Sequence, residues 1–180
     1  MRRGLCVLCA LLLLFFWWVV WQAEQPYTLL GPPTISAAFI NRVLAAYHSP
    51  AQGLGQALSA DGVDSGIDPV YALAFFWHES AFGTTGEARQ TLSLGNERCI
   101  PDRPCVDQDQ GGYAQMESWE DGCVHWYALM LHMYVEEWHL TTVEQIIPKY
   151  APGSDGNDEA AYIAAIEHAV DVWRQGEVWV

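Results

Sequence analysis

The residue in this chain best suited to acid chemistry is Glu79, set in the run Phe75-Phe76-Trp77-His78-Glu79-Ser80. An ionisable group placed on the most apolar segment of a chain loses solvation when it is charged. Its pKa is expected to rise. A carboxylic acid that keeps its proton near neutral pH can protonate a glycosidic oxygen, the step that opens glycoside cleavage. The competing reading is a Glu that turns out to solvent at a helix end or pairs with an Arg such as Arg89. His78 is adjacent, but consecutive helical residues point about 100° apart and do not share a proton readily. It is expected to pack with Phe75 and Phe82. A second carboxylate, which glycoside hydrolysis often uses, has candidates in Asp107 and Asp109 by position, and the role stays unassigned. The remaining His residues have no metal-ligand spacing, and no cofactor is expected.

The elements that would position Glu79 are helical. Asp68 is suited to cap a helix, Pro69 to its first position, and Gly83 to its exit after Phe82. This helix is apolar nearly all round, which places it inside a domain. Before it, Ile35, Phe39, Val43, Leu44 and Tyr47 recur at helical spacing up to Ser49-Pro50, and 53–63 is a weaker helix. Residues 84–117 change to Thr, Gly, Pro, Asn and Asp and read as loops with at most a short hairpin. A long helix opens at Ser118 and runs through Trp126 to Tyr134. Thr141 and Glu144 open another that Pro148 ends or kinks. Asn157 caps a last one carrying Tyr162, Ile166, Val170 and Trp173. The expected fold class is mainly α.

Composition excludes some functions. The 22 Asp plus Glu face 8 Lys plus Arg, for a net charge of −14. Two of the basic residues, Arg2 and Arg3, sit ahead of an apolar run from Gly4 to Trp21. Nucleic-acid partners need clustered positive charge and are not expected. The run has the form of a secretory leader, so the chain is expected to be extracytoplasmic. Cleavage after Ala23 would put bulky Trp21 where a small residue is wanted, which favours an uncleaved membrane anchor. The expected division is 1–23 leader or anchor, 24–33 extended linker, and 34–180 folded domain. In an exported chain, Cys99 and Cys105 can close their short loop as a disulfide. Cys123, within a helical pattern, is expected to pack as a small hydrophobe.

The ordered set from Gly66-Ile67-Asp68-Pro69 through Glu79-Ser80 and Phe82-Gly83-Thr84-Thr85-Gly86 resembles the glucosaminidase family. That is glycoside hydrolase family 73, mannosyl-glycoprotein endo-beta-N-acetylglucosaminidase-like. Ser93-Leu94-Gly95-Asn96, Tyr113 with Ser118-Trp119, Thr142 to Pro148, and Tyr150-Ala151-Pro152 are similar to later family segments. The resemblance implies a lysozyme-like helical domain with an irregular or hairpin lobe after the catalytic helix. It also implies a cleft for an N-acetylglucosamine-containing polysaccharide and Glu79 as proton donor. Tyr150 matches the family's Tyr facing the site, where its hydroxyl would contact the acetamido group or order the acid. The alternative for Tyr150 is a core aromatic beside Pro148. Ser80, Asn96 and Tyr113 are candidate substrate-binding residues. A lytic transglycosylase on the same fold, or an inactive tethered glycan-binding module, stands as an alternative to the hydrolase.

Overall fold

The computed structural model describes residues 27–180, so the apolar leader and its cleavage or anchoring lie outside the described residues. Among the described residues, no helix is long and apolar enough to cross a membrane. The architecture is mainly helical. Helix α1 spans Ala37–Ala46, and Ser36 caps it by accepting from the Phe39 amide at 3.2 Å. Its buried face is Phe39, Ile40, Val43 and Leu44, the spacing of an amphipathic stripe. Helix α2, Gly55–Ser65, begins against α1, where a Cβ on Gly55 would run into the Ala37 carbonyl.

Helix α3, Pro69–Ser80, carries Glu79 and is surrounded rather than half-covered: every residue from Pro69 to Phe76 is buried. Such a helix has no solvent face to orient it, so its ends must fix its register. Asp68 holds the start. Its buried carboxylate accepts from the Val70 amide (3.2 Å), the Thr34 amide (3.0 Å), the Thr34 hydroxyl (2.6 Å) and Arg174 (3.1 Å). The exit differs from the sequence expectation. The helix stops at Ser80, and both Ala81 (φ 45°) and Phe82 (φ 56°) adopt left-handed backbone before Gly83 (φ 80°) is reached. Left-handed backbone is costly for residues with a Cβ. It is offset here by tertiary bonds: the Ser49 hydroxyl donates to the Phe82 carbonyl at 2.8 Å, and the Phe82 ring is fully buried beside Tyr47 and Trp173.

The 84–117 region holds the short helix α4 (Ala88–Thr91) and a two-stranded antiparallel hairpin, β1 Cys105–Val106 and β2 Tyr113–Ala114. The Cys99–Cys105 disulfide closes the loop leading into β1. Cys123 is fully buried, and burial pushes its thiol pKa up. Helix α5, Trp119–Ala128, is capped by Ser118 and passes directly into a π-helical segment, Leu129–Glu137, where the Trp138 amide bonds five residues back to Met133. Helix α6, Val143–Tyr150, is capped one residue later than expected. The Gln145 side chain, not Glu144, accepts from the Thr141 and Thr142 amides at 2.9 and 3.2 Å. Pro148 does not end it, because the carbonyl left without a donor belongs to exposed Glu144. Helix α7, Glu159–Arg174, is capped by Asp158 rather than Asn157, whose amide instead donates to the Pro152 carbonyl.

Residues 27–33, expected as free linker, are extended but bound. Leu29 is fully buried, and its backbone bonds both Thr141 and Asp68 at 2.8 Å. The Asp68 carboxylate therefore ties three parts of the chain: the 27–34 strap, α3 and α7. Asp68→Ala removes the cap and leaves Arg174 without its carboxylate, and is expected to lower stability by about 2–4 kcal/mol. Urea unfolding checks this, and a loss below about 0.5 kcal/mol contradicts it.

Candidate functional site

The C-terminal end of α3 opens into a cleft of about 670 Å³ between the helices and the hairpin lobe, lined by Glu79, Asn96, Glu97, Tyr113, Tyr134 and Tyr150 among others. The π-helical segment supplies part of the wall. Leu129, Met133 and Tyr134, spaced four and five apart, all reach the cleft. Those are the same-face spacings of a helix closed by i→i+5 bonds.

Glu79 sits half-buried at this end of α3. Tyr162, on α7, donates its hydroxyl to Oε1, and the Asn96 amide reaches Oε2 at 3.5 Å. Burial raises the Glu79 pKa above the ordinary carboxylate value, while the Tyr162 and Asn96 hydrogen bonds and the charge of Arg98 act in the opposite direction. Arg89 is not among its partners. Both oxygens face a donor, and the Asn96 contact is the longer of the two, so Oε2 is the oxygen freer to carry the proton. His78 does not pack with Phe75 and Phe82 as expected. It is exposed, and its ring stacks on Tyr162 at 3.6 Å, covering the phenol that holds Glu79.

The loop 93–97 is held against α3 by side chains. Ser80 was a candidate for substrate binding, and the structure corrects this: it is fully buried, donates to the Leu94 carbonyl at 2.8 Å and accepts from the Gly83 amide at 2.9 Å. It fixes the loop and does not face the cleft. Asn96 does face it, in left-handed backbone (φ 49°), with its amide donating to the Glu79 carbonyl at 2.9 Å. Gly95 lies so close to the core that a Cβ would stand 2.5 Å from Trp126 and 3.2 Å from the Tyr150 hydroxyl. Tyr150 also lines the cleft, but its hydroxyl donates to the Gly95 carbonyl at 2.7 Å rather than to the acid. Tyr113 lines the hairpin side with the Arg98 guanidinium 5.0 Å over its ring. Asp107 and Asp109 are exposed and do not line the cleft.

Two residues at the site escaped the sequence reading. Tyr162 counted there only as an apolar position of the last helix. Its polar end would have been recognisable only from knowing that α7 packs on α3. Glu97 directly follows Ser93-Leu94-Gly95-Asn96. It is 5% exposed and lines the cleft, and burial, reinforced by the charge of Asp121, raises its pKa to about 7. A buried acid one residue beyond a turn gives no periodic signal. Among the described residues, no group of three or more His, Cys, Asp or Glu is arranged to hold a metal ion.

No family model and no curated protein sequence matches the chain. Among solved structures it is similar to S. aureus autolysin E, crystallised in complex with the muropeptide NAM-L-Ala-D-iGlu. The TM-score is 0.58 at 12% identity, over 84% of this chain and 72% of that one. The chain has the autolysin E fold. The expectation of a mainly helical domain with a short hairpin after the helix bearing Glu79 agrees with the observed architecture.

Glu97 makes the stability of this fold depend on pH. Its folded-state value of about 7 lies above the ordinary 4.5, so the protonated form favours folding. That contribution is complete below about pH 4.5 and is lost as pH rises through about 7. Besides burial, the charge acting on it is that of Asp121 from α5, and Glu97 in turn raises the pKa of Tyr134 from the π-helical segment and of Tyr150 from α6. The thermal midpoint is expected to fall between pH 5 and pH 8, and Glu97→Gln should flatten that fall. Parallel curves for the two proteins would place the ionisation elsewhere.

Proposed function

We propose that the protein is a glycoside hydrolase of the endo-β-N-acetylglucosaminidase kind. On this reading it cleaves β-1,4 bonds in an N-acetylglucosamine-containing polysaccharide, with peptidoglycan as the substrate and Glu79 as the general acid. The observation that carries the reading is the setting of Glu79. It is a carboxyl at the end of a helix that is buried from Pro69 to Phe76, facing an open cleft, with one oxygen held by a tyrosine hydroxyl and a pKa raised by burial. The fold shared with a protein crystallised with a muropeptide supports the choice of wall glycan, as does the resemblance carried by the motifs around Glu79.

In this mechanism a glycan lies along the cleft with its scissile oxygen near Oε2 of Glu79, which delivers its proton as the bond to the leaving sugar breaks; water then bonds to the anomeric carbon, and the proton it releases restores the acid. The carboxylate that forms is stabilised by the Tyr162 hydroxyl on Oε1 and the Asn96 amide. Tyr162 is a positioning residue: it sets which oxygen carries the proton and limits how far burial can raise the pKa. Tyr150 acts through the loop, holding the Gly95 carbonyl so that Asn96 stays over the acid. Asn96 and Tyr113 are the substrate-contacting candidates left once Ser80 is assigned to the loop. An extracytoplasmic location follows from this substrate and from the leader.

Glu79→Gln keeps the shape of the side chain and removes its transferable proton. It is expected to lower kcat on peptidoglycan by about 10² to 10⁴ with the thermal midpoint maintained. Product masses carrying an added water and a new reducing end identify hydrolysis. Anhydro-sugar products identify the transglycosylase, and turnover retained above about a tenth removes Glu79 from the role. Tyr162→Phe deletes a bond that favours the ionised acid, so the alkaline limb of kcat should move to higher pH. A limb that stays in place or moves down would mean that the phenol does not act on Glu79.

A further inference from the structure

Besides the acid and its tyrosine, two residues that line the cleft each carry a buried acceptor atom with no hydrogen-bond partner. The Asn96 amide nitrogen is turned to the Glu79 carbonyl, which can only accept, so its Oδ1 must point elsewhere, and that oxygen is buried without a hydrogen-bond partner. Oε2 of the neighbouring Glu97 is in the same condition. Both residues line the cleft. Native proteins leave few buried polar atoms unpaired, because each costs about 1–3 kcal/mol when its desolvation is not repaid. Two such atoms on consecutive residues, beside the candidate acid, are not a packing accident of the core. Neighbouring atoms of the same loop are fully engaged: the Glu97 amide donates to the Ser93 hydroxyl and its carbonyl accepts from the Ala114 amide.

We infer that Asn96 Oδ1 and Glu97 Oε2 form an acceptor subsite of the cleft, which takes the N–H and O–H donors of an N-acetylhexosamine unit bound beside Glu79. The inference rests on the glycan reading of the cleft and adds to it a specificity residue, Glu97. Sugars with an acetamido group present an amide N–H next to ring hydroxyls, a set of donors that matches two fixed acceptors. A site built to bond such donors discriminates against ligands lacking them, because its own buried groups are then left unpaired. The Ser80 and Ser93 hydroxyls bond the loop's backbone and Gly95 packs against Trp126, so the two oxygens are held by a fixed frame.

This arrangement has a signature that a merely structural acid would not produce. Removing an unpaired buried carboxyl relieves the free protein, yet removes an acceptor from the complex. In the full-length protein carrying Glu79→Gln, where turnover is slowed by about 10² to 10⁴, binding of the N-acetylglucosamine tetramer is measured by calorimetry with and without Glu97→Met. The expected result is affinity lower by about tenfold, with a thermal midpoint at pH 7.5 equal to or above that of the parent. Glu97→Gln, which retains one acceptor, should fall between the two. Unchanged tetramer affinity would assign the pair to bound solvent and overturn the subsite. So would a fall in thermal midpoint together with affinity, since that is the behaviour of a structural residue. Both results leave the general-acid reading untouched, because that reading is decided by turnover of the Glu79→Gln protein with Glu97 intact.

Discussion

The constraint on which the rest depends is the enclosure of α3 from Pro69 to Phe76. A segment buried on all sides cannot be oriented by a polar face, so its register must be fixed at the helix ends, and the Glu79 carboxyl near the exit must be accommodated. Asp68 does the first, binding the strap, the helix start and Arg174 at one carboxylate. Ser80 does the second, clamping the following loop to the helix end. The left-handed backbone at Ala81 and Phe82 follows from the same enclosure, since only that turn puts the Phe82 ring into the core and frees the chain to leave. Glu79 is thereby delivered to the last turn, where the helix is no longer sealed.

Around that carboxyl, opposing effects are set against each other. Burial favours the protonated acid, and Tyr162, Asn96 and Arg98 favour the ionised one. A general acid needs both influences, because it must hold its proton before the reaction and tolerate its loss afterwards. Tyr162 is fixed in turn by its burial and by the His78 ring stacked on it. Glu97 adds a second buried acid close by, whose unpaired oxygen costs stability in the free protein. Destabilised polar groups of this kind concentrate at sites of function, where a ligand completes them.

Much of the frame was legible in the sequence because it obeys local rules. The cap at Asp68, the proline at the first helical position, the apolar character of α3, the hairpin within 84–117 and the closed Cys99–Cys105 loop all have short-range causes. The errors lie where a distant partner decides. Ser80 looked polar and available, yet its neighbours Leu94 and Gly83 consume it. Tyr150 carried the motif, but Gly95 takes its hydroxyl, and the tyrosine on the acid is Tyr162, which periodicity counts as core. The cap boundaries at Thr142 and Asp158 shifted by one residue because adjacent polar residues compete for the same role. Residues 27–33 look like linker by composition, and they are held by backbone bonds to segments far along the chain.

The central claim is that Glu79 is a carboxylic acid whose proton is retained by burial. Its direct test is a carbon-13 NMR titration of the side-chain carboxyl in the wild-type protein, with the signal assigned by its absence in Glu79→Gln. The account predicts a midpoint above the ordinary glutamate value of about 4.3. A midpoint at or below that value would show that the tyrosine and asparagine bonds outweigh burial, and would contradict the assignment of Glu79 as proton donor.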